Sequence, residues 1–176
     1  MKVIVLKFGG TSVGTIEKIK KVAEIIANYK KKNYKVIVVS SAMSGVTNDL
    51  VRKSEEISES FSASEYDVLV SAGEQVACSL IAGRLIHKGF KSRSWLAWQI
   101  PIFTTGLHKN SRISQINKNK ITKYLKEGGI PIITGFQGVN IKERITTIGR
   151  GGSDASAIMI AKFFKAQRCV IYTDVE

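Results

Sequence analysis

The chain has 176 residues, which is long enough for one sizeable hydrophobic core and short for two. Hydrophobic residues make up 44% of it and charged residues 23%, proportions of a globular protein that exclude a disordered chain. The formal net charge is +13, but the lysines are scattered over helix faces without interleaved aromatic residues, so we predict solvated surface and no nucleic-acid partner.

The first predicted elements form a βαβ unit. A β-branched run at residues 2–8 ends at Gly9-Gly10, which is typical of a strand that enters a glycine turn. Apolar residues recur at helical spacing from Thr15 to about Lys31. The continuous apolar run Val36–Val39 is typical of a parallel strand buried on both faces.

A polar loop at residues 40–49 follows this second strand, at the edge where open α/β sheets bind ligands. Helical patterns follow at about 47–59 and 63–87. Glu74 lies among apolar neighbours in the second of these helices. It is either an inward carboxylate that needs a positive partner, such as a substrate ammonium, or a solvated helix glutamate.

The remaining patterns continue to alternate strands with helices. They are a strand within 90–98, a helix at 117–127, a strand at 130–134, a β-hairpin at 139–148, a helix at 153–164 and a buried strand at 169–172. We interpret residues 104–117 as a polar loop in which His108 and Arg112 have no metal or catalytic role. This order predicts the α/β class, as a three-layer α/β/α sandwich around a mainly parallel open sheet.

A glycine-rich stretch leads into the last predicted helix. Gly151 and Gly152 allow the backbone to approach a ligand closely, and Ser153 and Asp154 are residue types that cap helices. The N–H groups and dipole of a helix start favour an anion, and the guanidinium of Arg150 matches a carboxylate. The stretch therefore predicts an anion site, with an ordinary capped glycine loop as the alternative.

Several polar loops converge on one edge of the predicted sheet, which suggests a phosphoryl-transfer site. They are Lys7 with Gly9-Gly10, residues 41–47, 135–138 and 150–154, and Thr173-Asp174. Neither glycine loop has the spacing of a Walker A motif or of the dinucleotide-binding fingerprint. A P-loop NTPase and a Rossmann dehydrogenase are therefore disfavoured.

Six segments, in order along essentially the whole chain, resemble aspartate kinases of the amino-acid kinase superfamily. They are Lys7-Phe8-Gly9-Gly10-Thr11-Ser12-Val13, residues 41–48, Gly73-Glu74-Gln75, Gly135-Phe136-Gln137-Gly138, residues 148–157 and Tyr172-Thr173-Asp174-Val175. The resemblance implies Mg²⁺-dependent transfer of the ATP γ-phosphoryl group to the side-chain carboxylate of L-aspartate. The product, 4-phospho-L-aspartate, leads towards lysine, threonine, methionine and diaminopimelate.

The resemblance also implies roles for individual residues. Lys7 is expected to neutralise charge on the transferred group, and Asp154 to orient that lysine. The residues expected to contact aspartate are Ser41, Thr47, Glu74 (for its ammonium), Phe136, Arg150 (for a carboxylate) and Ser153. The residues expected to contact ATP are Lys7, Phe8, Gly9, Gly10, Gly151, Gly152, Thr173 and Asp174. The Mg²⁺ ion is expected to be held mainly by the nucleotide, without a metal site on the protein.

Family members continue beyond the segment that matches Tyr172 to Val175. The resemblance therefore predicts that residues 1–176 are an incomplete, N-terminal kinase domain without the C-terminal nucleotide-binding part or ACT domains. The segment Trp95–Pro101 departs from the glycine-containing version of the family. The alternative function is a non-catalytic remnant that binds aspartate, or that forms a homodimer or other association through an exposed sheet edge.

The two cysteines, Cys78 and Cys169, are far apart and lack metal-ligand spacing, as expected in a reducing compartment. No apolar run approaches membrane-spanning length by inspection, and the apolar start is too short for a signal peptide. These features predict a cytoplasmic protein without a membrane partner.

Overall fold

The computed structural model describes residues 2–149 and 151–173. Its elements, in chain order, are β1 (Val3–Phe8), α1 (Ile16–Lys31), β2 (Lys35–Ser40), α2 (Val46–Ile57), α3 (Ala63–His87), β3 (Ser92–Trp95), β4 (Ile102–Leu107), β5 (Asn110–Ile116), α4 (Asn119–Lys126), β6 (Ile130–Thr134), β7 (Gln137–Val139), β8 (Ile145–Thr147), α5 (Gly152–Phe163) and β9 (Arg168–Tyr172).

The main sheet has five parallel strands in the order β3-β6-β2-β1-β9. The predicted βαβ unit is confirmed, because β1 pairs in parallel with β2 across α1. Thr15 caps α1, with its hydroxyl accepting a hydrogen bond from the Lys18 amide at 3.2 Å. All strands that pair in this sheet end at the same edge, so the loops that follow them are brought together.

Helices cover both faces of this sheet, so the predicted three-layer α/β/α architecture is confirmed. Alternate residues of β1 enter opposite cores. Ile4 and Leu6 pack with the buried faces of α1 and α3. Val3 and Val5 pack in a second core with residues of α4 and α5. Lys7 follows the alternation of Val3 and Val5 and therefore lies on the α5 side.

A second sheet, in the order β5-β4-β7-β8, flanks the main one. The predicted hairpin at 139–148 is confirmed by antiparallel β7 and β8. The interpretation of residues 104–117 as a polar loop is wrong, because β4 and β5 form an antiparallel hairpin there. Arg112 lies in β5 and His108 in the turn between the strands. The polar side chains of this stretch are typical of a loop, yet Thr104 and Ser111 are buried in the sheet.

Helix α3 is the one helix among the described residues that is long and apolar enough, by length and composition, to cross a membrane. The expectation that no stretch approaches this length is therefore wrong, because alanine and cysteine between the aliphatic residues keep the hydropathy high. Half of the apolar stretch is buried inside the protein, and Ile81 on its inner face belongs to a hydrophobic core.

Strand β9 is less buried than predicted. Its residues are half-buried or exposed, because within the described ranges it pairs on one side only, with β1. It therefore forms one edge of the sheet, and β3 forms the other. Association through such an edge stays a prediction.

The core assignment predicts that Ile81→Ala destabilises the protein by about 2–5 kcal/mol, since a fully buried isoleucine would leave a cavity. Ile141→Ala is the matched control because Ile141 is 91% exposed, and its effect should stay within about 0.5 kcal/mol. Urea unfolding measures both free energies. Equal losses in the two variants would contradict the core described here.

Candidate functional site

A cavity of about 340 Å³ lies among the loops that follow β1, β2 and β6 and the start of α5. The residues predicted from sequence that line it are Lys7, Gly10, Ser41, Thr47, Glu74, Phe136, Gly151, Gly152, Ser153 and Asp154. Met43, Ser44 and Asn48 also line it, although sequence reasoning had not selected them as site residues. The structure thus brings the predicted loops to one place.

Other predicted residues do not line this cavity. Phe8 is fully buried and stacks on the Tyr172 ring, with centroids 4.8 Å apart. The Gly9 amide donates to the Tyr172 carbonyl at 3.0 Å, so it is already engaged. These two residues join the end of β1 to β9 next to the cavity.

The nucleotide end of the predicted site is described only in part. The Thr173 carbonyl accepts a hydrogen bond from the Thr11 hydroxyl, which joins the glycine turn after β1 to the end of β9. Arg150 and Asp174, which were predicted to bind a carboxylate and the nucleotide, lie outside the described residues.

Lys7 provides a nearly buried ammonium group in the cavity wall. Its side chain is 9% exposed, and its Nζ lies 2.7 Å from Oδ1 of Asp154 in the first turn of α5. A buried ammonium requires such a partner, because desolvation alone would cost several kcal/mol. A Cβ at Gly9 would lie 3.3 Å from this Nζ, so the glycine leaves room around the ammonium.

Helix α5 begins differently from the sequence interpretation. The cap residue is Gly151, whose φ of +70° is left-handed and favours glycine. Ser153 and Asp154 lie inside the first turn, and no side chain of the described residues caps the helix, so their predicted capping role is wrong. The N–H groups of an uncapped helix start lack intrahelical partners and favour an anion.

Phe136 forms another wall in a strained backbone conformation, with a φ of +67°. Its amide donates to the Ser156 hydroxyl at 3.0 Å, and its carbonyl accepts from the Ile148 amide at 2.8 Å. Ser156 is fully buried on α5, and nothing in its local sequence pattern distinguished it from a small core residue. The turn after β6 is therefore held by the helix that carries Asp154.

Glu74 is 2% exposed, so the inward orientation is confirmed and the solvated alternative is wrong. Its Oε1 accepts a hydrogen bond from the Ala42 amide at 3.1 Å, and its buried Oε2 has no hydrogen-bond partner among the described residues. Burial raises the pKa of this carboxyl to about 7. A positive group in the cavity would satisfy Oε2 and favour the ionised form.

The close approach of α3 to the loop after β2 depends on Gly73. A Cβ at this position would lie 2.7 Å from the Ala42 Cβ, closer than two such carbons can pack. Ala42 is also the residue whose amide holds Glu74. The glycine therefore lets the helix place its carboxylate against this loop.

The cavity offers a carboxylate on one wall and an ammonium beside a helix start on another. Such a site suits a ligand, or two neighbouring ligands, that carry both positive and negative groups. No group of three or more His, Cys, Asp or Glu side chains is arranged to hold a metal ion within residues 2–149 and 151–173.

Comparisons with known proteins agree with this geometry. The model of the amino acid kinase family matches residues 2–176. The aspartokinase of Rickettsia conorii is 50% identical over 179 residues, which cover 100% of this chain and 45% of that protein. The chain therefore spans about half the length of the curated relatives it matches.

Solved structures give the same result. The crystal structure of aspartate kinase from Synechocystis superposes with a TM-score of 0.83 at 39% identity, covering 98% of this chain and 28% of the other. Aspartokinase III of E. coli, in complex with aspartate and ADP, superposes with a TM-score of 0.85 at 26% identity. That match covers 99% of this chain and 49% of the other.

Gly73→Ala is expected to destabilise the protein by about 1–3 kcal/mol, because the new methyl group would displace the Ala42 loop. Gly83→Ala, on the same helix, is the matched control. A Cβ there meets nothing within 4 Å, and this variant should gain about 0.5–1 kcal/mol from its higher helix propensity. Urea unfolding measures the change in the free energy of unfolding for both variants. A gain in stability for Gly73→Ala would refute the close approach of α3 to the loop after β2.

Glu74→Gln is expected to remove a pH dependence of stability. The folded protein keeps a proton on Glu74 up to a pKa of about 7, whereas the ordinary pKa is 4.5. The contribution of this proton to the free energy of unfolding is therefore complete below about pH 4.5 and is lost as the pH rises through about 7.

The free energy of unfolding of the unsubstituted chain, minus that of the variant, should fall by about 2–3 kcal/mol between about pH 5 and pH 8. Urea unfolding of both proteins measures the difference, in which other titrating groups cancel. A difference that does not change with pH would count against a protonated, buried Glu74.

Proposed function

The chain belongs to the amino acid kinase family, and we propose that it carries the aspartate-binding and phosphoryl-transfer residues of an aspartate kinase. In the proposed reaction, the γ-phosphoryl group of ATP passes to the side-chain carboxylate of L-aspartate and gives 4-phospho-L-aspartate. This is the step that leads towards lysine, threonine, methionine and diaminopimelate. A cytoplasmic location is part of the same proposal, and the thiols of Cys78 and Cys169 are both free.

The observation that carries the proposal is the buried Oε2 of Glu74, which has no hydrogen-bond partner among the described residues, on a side chain that lines the same cavity as Lys7. The ammonium of an amino acid is the positive group that this oxygen lacks. The carboxylates of aspartate then suit the positive side of the cavity. The E. coli relative that superposes on this chain was crystallised with aspartate and ADP, which supports the choice of substrates.

On the phosphate side, we assign charge neutralisation to Lys7, assisted by the backbone at Gly10 and at the start of α5. Asp154 orients the lysine, and their contact at 2.7 Å supports this role. An oxygen of the aspartate side chain attacks the γ-phosphorus, and the bond from that phosphorus to the β-phosphate oxygen breaks as ADP leaves. A carboxylate is already ionised at pH 7, so no general base is needed.

The residues fit a magnesium ion that enters with the nucleotide. Mg²⁺ prefers oxygen ligands and is usually bound together with substrate phosphates. The carboxylate of Asp154, which lines the cavity, is paired with Lys7. The phosphate oxygens of ATP would therefore hold the ion for the most part. When bound, Mg²⁺ supplies further neutralisation of charge on the β- and γ-phosphates.

Other residues complete the proposal. Ser41, Thr47, Phe136 and Ser153 line the cavity and are assigned to the aspartate pocket. Arg150 is assigned to a substrate carboxylate. The nucleotide contacts are assigned to Gly151, Gly152, Thr173 and Asp174, whereas Phe8 and Gly9 join the end of β1 to β9.

The decisive measurement is titration calorimetry of the purified chain with L-aspartate and with Mg·ATP, followed by a hydroxamate assay for acyl phosphate. Lys7→Ala should lower acyl phosphate formation at least about 100-fold, because it removes a charge that stabilises the transition state. Lys20→Ala is the control, since Lys20 lies on the exposed face of α1 and pairs with Glu17 alone among the described residues.

The outcomes separate the two functions considered for this chain. Acyl phosphate that forms with Lys20→Ala and not with Lys7→Ala establishes a kinase. Aspartate binding without acyl phosphate identifies an aspartate-binding part that does not transfer the phosphoryl group by itself. Absence of aspartate binding refutes the proposal.

A further inference from the structure

A second buried carboxylate, Asp67, lies outside the cavity and has no role in the proposed reaction. Its side chain is fully buried on α3. Oδ1 accepts a hydrogen bond from the Thr147 hydroxyl at 2.5 Å, and Oδ2 lies 2.6 Å from Nδ1 of His108. The Lys109 amide donates to both oxygens, at 3.1 and 3.2 Å. We call Asp67, His108, Lys109 and Thr147 the Asp67 clasp.

The Asp67 clasp is a buried hydrogen-bonded cluster that holds neighbouring segments together. A carboxylate without water is stable only when donors satisfy both of its oxygens, and Asp67 has donors on each. These donors come from two separate segments, the turn between β4 and β5 and the end of β8. One side chain of α3 therefore joins both segments to the helix.

Both segments lead directly to the wall of the cavity. Thr147 is followed by Ile148 and by Gly149, which lines the cavity. On the hairpin side, Asn110 follows the clasped turn, and a Cβ at Gly149 would lie 2.6 Å from Asn110 Oδ1. Ser111 and Ile148 form an isolated β-bridge beside this contact. The segment 148–149 thus has a clasped neighbour on each side.

The same helix also carries Glu74. Asp67 and Glu74 are seven residues apart, two helical turns, so both lie on the inner face of α3. Gly149 and Glu74 line the same cavity. Helix α3 therefore connects Glu74, in one wall of the cavity, to the Asp67 clasp beside Gly149, in another wall.

We propose that the Asp67 clasp sets the position of the segment 148–149, and that Asp67, His108 and Thr147 are positioning residues for aspartate binding. None of the three lines the cavity, so they act through the segment they hold. The part that concerns aspartate rests on the proposed function, whereas the part that concerns the segment does not.

Neighbouring threonines of β8 provide a matched test. Thr147→Val removes the hydroxyl that donates to Asp67 and keeps the shape of the side chain. Thr146→Val is the control, because it removes an equally buried hydroxyl that pairs with the Thr104 hydroxyl at 2.6 Å and is not one of the hydrogen-bond donors to Asp67 described above. Thr147→Ser retains a hydroxyl and is expected to rescue the loss.

The first measurement is amide hydrogen exchange of the full chain by NMR. The Ile148 amide, which donates to the Phe136 carbonyl, reports on the segment, and the Val38 amide in β2 reports on global unfolding. Thr147→Val should raise the exchange rate of Ile148 relative to Val38 about tenfold, as expected for loss of a hydrogen bond to a charged group. Thr146→Val and Thr147→Ser should change this ratio less than about twofold.

The second measurement is the affinity for L-aspartate by titration calorimetry at a temperature at which all variants are folded. Thr147→Val should weaken binding about tenfold, and the other two variants less than about twofold. An unchanged exchange ratio in Thr147→Val, or an unchanged affinity despite a raised ratio, overturns the proposal. If the unsubstituted chain does not bind aspartate, the proposed function fails, and the exchange ratio still decides whether the clasp positions the segment.

Discussion

The site depends on a carboxylate held out of water. Glu74 reaches the cavity because Gly73 lets α3 approach the loop after β2 more closely than any side chain would permit. The Ala42 amide donates to one oxygen of the carboxylate, and the other has no hydrogen-bond partner among the described residues. Burial raises the pKa of the group to about 7, and a positive ligand bound beside it would favour the ionised form.

The position of Lys7 in the cavity wall follows from the alternation of side chains along β1. Because successive residues of β1 point to opposite faces, Phe8 enters the core of α1 and α3 while Lys7 emerges on the side of α5. Asp154 meets the lysine from the first turn of that helix. The two charged walls are therefore built from different layers of the sandwich, and the cavity exists only where the layers meet.

The second sheet gives the cavity a third support. The β4–β5 hairpin lies outside the parallel sheet, yet its turn donates a hydrogen bond to Asp67 of α3. Its residue Asn110 packs against Gly149 of the segment 148–149. Helix α3 thus carries two buried carboxylates with different surroundings. In the described part of the chain, Asp67 has donors on both oxygens, whereas Glu74 has a donor on one oxygen only.

The sequence by itself determined the class of fold, the parallel core strands and the set of loops that line the cavity, because hydrophobic periodicity and glycine positions are local properties. It did not predict the β4–β5 hairpin, whose buried polar residues resemble a loop until a partner strand covers them. The burial of Glu74, the glycine start of α5 and the Asp67 clasp were decided only by tertiary structure. Each depends on contacts between segments far apart in the chain. Asp67 and Thr147, for example, are separated by 80 positions, and no local pattern encodes such a contact.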